Sequence, residues 1–299
     1  MNELNQQRHL KLAHKLFFGE CWMITEEKLE QIIAFVDAKI QCRNIEFEAV
    51  NKGEKLEAVS GGIGVLPING VISYRANMFT RSSGGTSIDN LTQQFRSLMS
   101  DPNVGSIVLN IDSPGGSTYG IQEFAAEVSK AKTVKPIVAI ANPIAASAAY
   151  WIASAASKIV CIPSGMVGSI GCVLCRSDDS AADEASGIKH TIISAGKYKA
   201  EGYGPITDDE TANLQALVDS YYNDFVGAVA KNRGTTASAV KSGYGQGRVV
   251  RASEAIEQKM IDKVSTLDDV VRELTAKKSL QDKRANLAAE YPHILGGVI

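Results

Sequence analysis

The feature that most constrains this chain is the way short apolar runs alternate with segments of helical character. Runs near Gly64–Ile68, Ser106–Ile111, Ile137–Ala141, Ile159–Ile162, Ile170–Leu174 and Thr191–Ile193 are rich in β-branched residues and too short for buried helices. Helical or glycine-rich connections separate them, which is the pattern of βαβ units in a parallel sheet with right-handed crossovers. The expected class is therefore α/β. At 299 residues and 44% hydrophobic, the chain can bury a sizeable core, and length alone suggests about two domains.

One segment within this pattern suggests chemistry. Asn142-Pro-Ile-Ala-Ala-Ser147-Ala-Ala-Tyr150 places a small hydroxyl residue near the start of an Ala-rich helix. Unpaired backbone N–H groups and the positive end of the helix dipole stabilise an anion developing there, which suits acyl transfer. Taken alone, a serine among alanines more often just lets a helix pack closely. The order of parts around it argues otherwise. Upstream, the Ser106–Ile111 run leads into Asp112-Ser-Pro-Gly-Gly116 and then a helix expected from about Thr118 to Lys132. Glycines at such a turn can expose backbone N–H groups as an oxyanion hole, although a plain tight turn reads the same way.

A serine nucleophile needs a base. His9, His14 and His293 lie near the ends of the sequence, and His190 sits at the start of an expected strand with no obvious acidic partner, so a Ser-His-Asp triad is poorly supported. A lysine can serve if burial lowers its pKa from about 10.4 toward 7–8. Ser194-Ala-Gly196-Lys197-Tyr198-Lys199 offers two lysines, and in an extended segment residues two apart share a face, so spacing does not separate Lys197 from Lys199.

Four motifs in one order, Asp112–Ser117, the Ala-Ala-Ser147-Ala-Ala-Tyr150-Trp151 helix, Gly168-Ser-Ile-Gly171 and Ser194–Lys199, resemble the signal peptide peptidase A family of serine peptidases, peptidase family S49. The resemblance covers roughly Gly62 to Val271. It implies a ClpP/crotonase-like spiral of repeated βαβ units and a Ser-Lys dyad, with Ser147 as nucleophile and Lys199, rather than Lys197, as general base. Ser169 would hydrogen-bond the lysine, and the N–H groups of Gly115 and Gly116 would bind the oxyanion. The chain departs from the family in having Ala148-Ala149 where Gly-Gly often follows the nucleophile, a change a helix tolerates.

Within the family, Gly61–Ser73 followed by Gly84-Gly-Thr-Ser-Ile88 is similar to the opening of phage head-maturation proteases. The implied role is cleavage of scaffold, portal or coat proteins during phage head assembly, by a homo-oligomeric ring; whether one subunit supplies both dyad residues or two subunits share them, the spacing of Ser147 and Lys199 leaves open. Residues 1–60 contain no apolar run near the ~18–20 residues that span a bilayer, and Leu16-Phe-Phe18 lacks the layout of a secretory signal. A soluble, cytoplasmic protein with no membrane partner is expected. A net charge of −2 and the lack of a basic patch interleaved with aromatics give no reason to expect nucleic acid. No cofactor is expected either. Five cysteines, an odd number, argue against a disulfide framework, and Cys161, Cys172 and Cys175 read as small buried hydrophobes rather than a zinc site. A soluble housekeeping peptidase, a crotonase-like acyl-CoA enzyme and a non-catalytic assembly component are the competing readings.

The domain plan has a peripheral segment 1–61, a peptidase domain 62–275 and a tail 276–299. Residues 1–24 read as peripheral. Thr25 is expected to cap a helix to about Ile40 with Leu29, Ile32, Ile33, Val36 and Ile40 on one face, and 41–62 to be a linker. Thr207 and Glu210 form a capping box for a helix to about Asn232. A closing strand and helix follow over Gly243–Val250 and Ser253–Asp262, then a last helix near Leu267–Lys277. The Gly243-x-Gly-x-Gly247 run reads as a turn.

Overall fold

The computed structural model of the 299-residue chain describes residues 20–40, 57–59, 61–76, 84–178 and 180–290. In chain order, strand β1 (Cys21–Ile24) precedes helix α1 (Glu26–Ile40), and β2 (Glu57–Val59) pairs antiparallel with β3 (Ile63–Asn69). After β4 (Ile72–Ser73) and β5 (Thr86–Ser87) comes α2 (Ile88–Ser100), capped by the Ser87 hydroxyl, which accepts from the Asn90 N–H at 3.4 Å. Next are β6 (Ser106–Ser113), β7 (Gly115–Ser117), α3 (Ile121–Ala131), β8 (Ile137–Ala146) and α4 (Ala148–Ser154). Strands β9 (Lys158–Cys161), β10 (Met166–Gly168) and β11 (Val173–Leu174) lead to α5 (Asp208–Arg233), β12 (Val249–Arg251), β13 (Lys263–Val264) and α6 (Leu267–Glu290).

Strands β3, β6, β8, β9 and β10 pair parallel, giving the expected α/β architecture. Strand β8 serves two neighbours in turn. Its first half, Val138–Ala141, pairs with β9, and its last residues, Ile144–Ala146, pair with β10. Pro143, which has no N–H to donate, stands at the switch between them. A second sheet has the order β11-β1-β7-β4-β5 and joins the first through Pro114, the single residue between β6 and β7.

The core explains the Ala-rich segment. Every residue of α4 is buried, so small side chains let it lie close to the sheet, while Tyr150 sends its hydroxyl to the Met260 carbonyl at 2.9 Å and Trp151 stacks on Phe225 at 4.9 Å. Phe95 of α2 meets Phe124 of α3 edge-on at 5.5 Å.

Several expectations need correction. Residues 21–24, read as peripheral, form a buried strand because β7 and β11 supply the partners that a four-residue segment cannot find locally. Thr191–Ile193 forms no strand; it has β-branched residues but no neighbouring edge, and it is exposed. The expected strand Ile170–Leu174 is only Val173–Leu174, preceded by β10 at Met166–Gly168. Helix α6 runs to Glu290, well past the end expected near Lys277. Helix α1 has the expected limits, with Leu29 buried beside Trp22 and Val71 and with Ile32 and Ile33 packed on them. Val36 and Ile40 fall outside the described side chains, and most of the expected linker and the last residues of the tail fall outside the described residues.

Candidate active site

Ser147 stands at the junction where β8 ends and α4 begins, with φ 53° and ψ −120°. For a residue with a Cβ this is a strained conformation, of order 1–3 kcal/mol, which persists only when neighbours enforce it. They do so from both sides. The Ser147 N–H donates to the Gly168 carbonyl at 2.7 Å, and its carbonyl accepts from the Trp151 N–H at 3.0 Å. The residue is 1% exposed, yet its Oγ has no hydrogen-bond partner among the described residues. A buried hydroxyl without a partner is uncommon in a native structure, and catalytic groups are among the recognised exceptions.

Gly115 lies directly against it. With φ 101°, a Cβ built there would fall 2.9 Å from the Ser147 Cβ, 3.1 Å from the Ala146 carbonyl oxygen and 2.1 Å from the Met23 carbonyl oxygen. At Gly116 a Cβ would meet the Ile72 carbonyl oxygen at 1.8 Å, so both positions require glycine for backbone approach. Neither N–H is bare. The Gly115 N–H donates to Ser113 Oγ at 3.2 Å, and that hydroxyl donates to the Gly70 carbonyl at 2.6 Å. Gly116 is paired with Met23 in the antiparallel β1–β7 ladder. Bonds from the Thr25 N–H to the Pro114 carbonyl at 3.0 Å and from the Thr118 N–H to the Cys21 carbonyl at 3.4 Å set the alternation, which makes Met23 and Gly116 a hydrogen-bonded pair.

Ser169 is buried close by with φ 54°, and its N–H donates to the Arg248 carbonyl at 2.9 Å. It follows Gly168, whose carbonyl anchors Ser147. Sequence reasoning missed the Ala148 N–H, the first of α4, which lacks an intrahelical acceptor and adjoins the serine. The signal available was position alone, since the N–H after a nucleophile at a strand-to-helix turn recurs as an oxyanion donor in other hydrolases.

Neither lysine hydrogen-bonds the Ser147 hydroxyl among the described residues. Lys199 is exposed and shares no hydrogen bond with the buried Ser147 Oγ. Lys197 is also exposed, donates to the Tyr198 hydroxyl at 2.6 Å and lies 4.5 Å over the Tyr198 ring. Both belong to the exposed stretch 188–199. That stretch is followed by Gly204, whose carbonyl accepts from Arg176 at 2.9 Å, while the Arg176 Nε donates to Glu210 Oε1 at 2.8 Å. His190 has an acidic partner after all, Asp183 at 3.1 Å, but on the exposed surface away from any strand. Cys161 is buried and burial pushes its thiol up to about 12, whereas Cys172 and Cys175 are half-buried, with Cys175 packed on the cluster of Trp22 and Ile24.

Comparison with known proteins follows the same lines. The model of peptidase family S49 matches residues 129–281. Capsid assembly protease C of Escherichia phage lambda is 31% identical over 215 residues, covering 71% of this chain and 48% of that protein. A putative signal peptide peptidase SppA of Enterococcus faecium is 30% identical over 223 residues, covering 73% of this chain and 64% of the relative. The head-tail preconnector protein GP5 of Enterobacteria phage P21 is 27% identical over 215 residues, covering 71% and 42%. The chain thus spans less than two thirds of the length of each of these relatives.

Proposed function

Since the chain belongs to peptidase family S49, we propose that it is a serine endopeptidase in which Ser147 is the nucleophile and Lys199 the general base. The observation that carries this reading is the strained, buried and unpartnered Ser147 hydroxyl held against a glycine pair at a helix start. Neutral lysine takes the Ser147 proton as Oγ attacks the scissile carbonyl, and the tetrahedral oxyanion forms beside the Gly115–Gly116 backbone and the Ala148 N–H. The lysinium protonates the leaving amine. Water, activated by the same lysine, then attacks the acyl-enzyme, releasing the acid and regenerating Ser147. Ser169, one residue from the carbonyl that fixes Ser147, orients the lysine. Lys199 is favoured over Lys197 because the Lys197 ammonium is already engaged by Tyr198.

The dyad is completed between subunits of a homo-oligomeric ring. Exposed Ile188, Ile192, Ile193, Tyr198, Tyr203 and Ile206 flank Lys199, an apolar stretch that a neighbouring copy would cover while bringing the lysine to its Ser147. The substrates are proteins of a phage head, scaffold, portal or coat, by analogy with the role named for the lambda relative. Mixing Ser147→Ala chains with Lys199→Ala chains tests this reading. Each alone should leave a candidate scaffold or portal protein intact, and the mixture should recover cleavage, read as discrete fragments by intact mass. Silence at every mixing ratio, with wild type cutting, would count against a shared site, and fragments from the separate variants would mean that the residues are wrong.

A further inference from the structure

Strand β1 occupies a place that the proposed chemistry needs for something else. It lies antiparallel between β7, the strand that carries Gly115 and Gly116, and β11, so both of its edges are paired. An extended peptide added to a sheet is held in this way, by main-chain bonds along its length with alternate side chains set into pockets. The register is specific. Met23 faces Gly116, and its carbonyl oxygen and the Ser147 Cβ lie 2.1 and 2.9 Å from the same point beside Gly115. The Met23 side chain is fully buried in the main apolar cluster, and Trp22 sits with Leu29 and Val71 on the opposite side of the strand. With β1 seated, Ser147 is 1% exposed.

We propose that Cys21–Ile24 is a resident occupant of the peptide-binding slot, that the chain in this conformation is latent, and that a substrate segment enters by replacing β1. The proposal rests on Ser147 being the nucleophile. It also specifies the incoming chain: an extended segment, with an unbranched apolar side chain on the residue whose carbonyl takes the place of the Met23 carbonyl. Site occupancy then depends on the fraction of molecules with β1 released, which lowers apparent affinity and rate by that fraction.

The test uses the full chain and a small alkyl fluorophosphonate that labels a reactive serine. Met23→Asp puts a carboxylate where an apolar side chain is buried, so it unseats β1 without touching the groups assigned to catalysis. Labelling of Ser147 should be at least about tenfold faster in Met23→Asp than in wild type, and absent when Ser147→Ala is added. Equal rates in wild type and a folded Met23→Asp protein would overturn the latency and leave the nucleophile assignment standing. A label that persists in Ser147→Ala would overturn both. If Met23→Asp does not fold, hydrogen exchange on wild type decides. Backbone amides of β1 should be protected in the free chain and become exchangeable when the peptide aldehyde acetyl-Ala-Trp-Met-al saturates Ser147. Undiminished protection of β1 with the aldehyde bound would overturn the proposal.

Discussion

At Ser147 the fold holds a side chain in a backbone conformation that glycine would adopt at less cost. Function and stability therefore pull in opposite directions at this position. Ser147→Gly and Ser147→Ala should both abolish peptide cleavage, but the glycine variant should be more stable than the alanine one by about 1 kcal/mol, because only glycine relieves the positive φ. Denaturant unfolding of the two variants measures the difference, and a more stable alanine variant would show that the backbone here is not strained. Gly115 makes the complementary case. Alanine at 115 would drive a methyl group into the Met23 carbonyl and the Ser147 Cβ, so Gly115→Ala should lose activity at least about a hundredfold, the order seen when one oxyanion donor is removed. Its melting temperature should fall as well, since no flexible side-chain end is there to move aside.

Among the elements, α5 is tied down at both ends by polar contacts that the sequence only half reveals. Its start was legible, because Thr207 Oγ1 accepts from the Glu210 N–H at 3.1 Å as a capping box requires. The reciprocal half of the box is diverted, since the Glu210 carboxylate takes Arg176 instead. At the far end Arg233 donates to Asp262 at 2.7 and 3.0 Å, and Asp262 also accepts from the Ile159 N–H at 2.7 Å, joining α5 to β9. Burial alone would raise the Asp262 carboxyl, but Arg233 and the Ile159 N–H outweigh it and hold it below its ordinary value. A carboxylate lowered in the folded state stabilises above its unfolded pKa, and that contribution is lost as pH falls through the folded one. Asp262→Asn should therefore cost about 1–2 kcal/mol near neutrality, partial exposure keeping the figure modest, and the gap from wild type should close below about pH 4. A gap independent of pH would mean that the carboxylate charge contributes nothing. What was readable and what was not divides along the same line. Strands β3 and β6, helix α1 and the serine at the start of α4 carry their signals locally, in apolar runs, caps and small residues. Strand β1 does not, because Cys-Trp-Met-Ile becomes a strand only through β7 and β11, which are distant in sequence. The Thr191–Ile193 run misled for the converse reason: its composition favours a strand, but the fold offers it no edge.

For the molecule as a whole, the placement of Lys199 on an exposed stretch makes assembly part of the proposed chemistry rather than an addition to it. Ile193 is the sharpest probe, since it is 94% exposed and stands six positions before the lysine. An isoleucine that touches little in its own chain contributes almost nothing to the stability of that chain, so replacing it should leave the melting temperature of the isolated subunit within about 0.5 kcal/mol equivalents of wild type. In a subunit interface the same side chain is buried, and a charge there is costly to desolvate. Ile193→Asp should therefore sediment as smaller species than wild type at equal concentration, unfold normally, and fail to cleave substrate although Ser147 and Lys199 are both intact. It should also fail to rescue Lys199→Ala chains in the mixing experiment, because its own lysine is not carried into their Ser147, whereas Ser147→Ala chains, whose Ile193 face is intact, should still bring Lys199 to its serine. Were Ile193→Asp to assemble and cut as wild type does, this face would not be the interface, and Lys199 would have to reach Ser147 by a movement of the 188–204 segment within one chain.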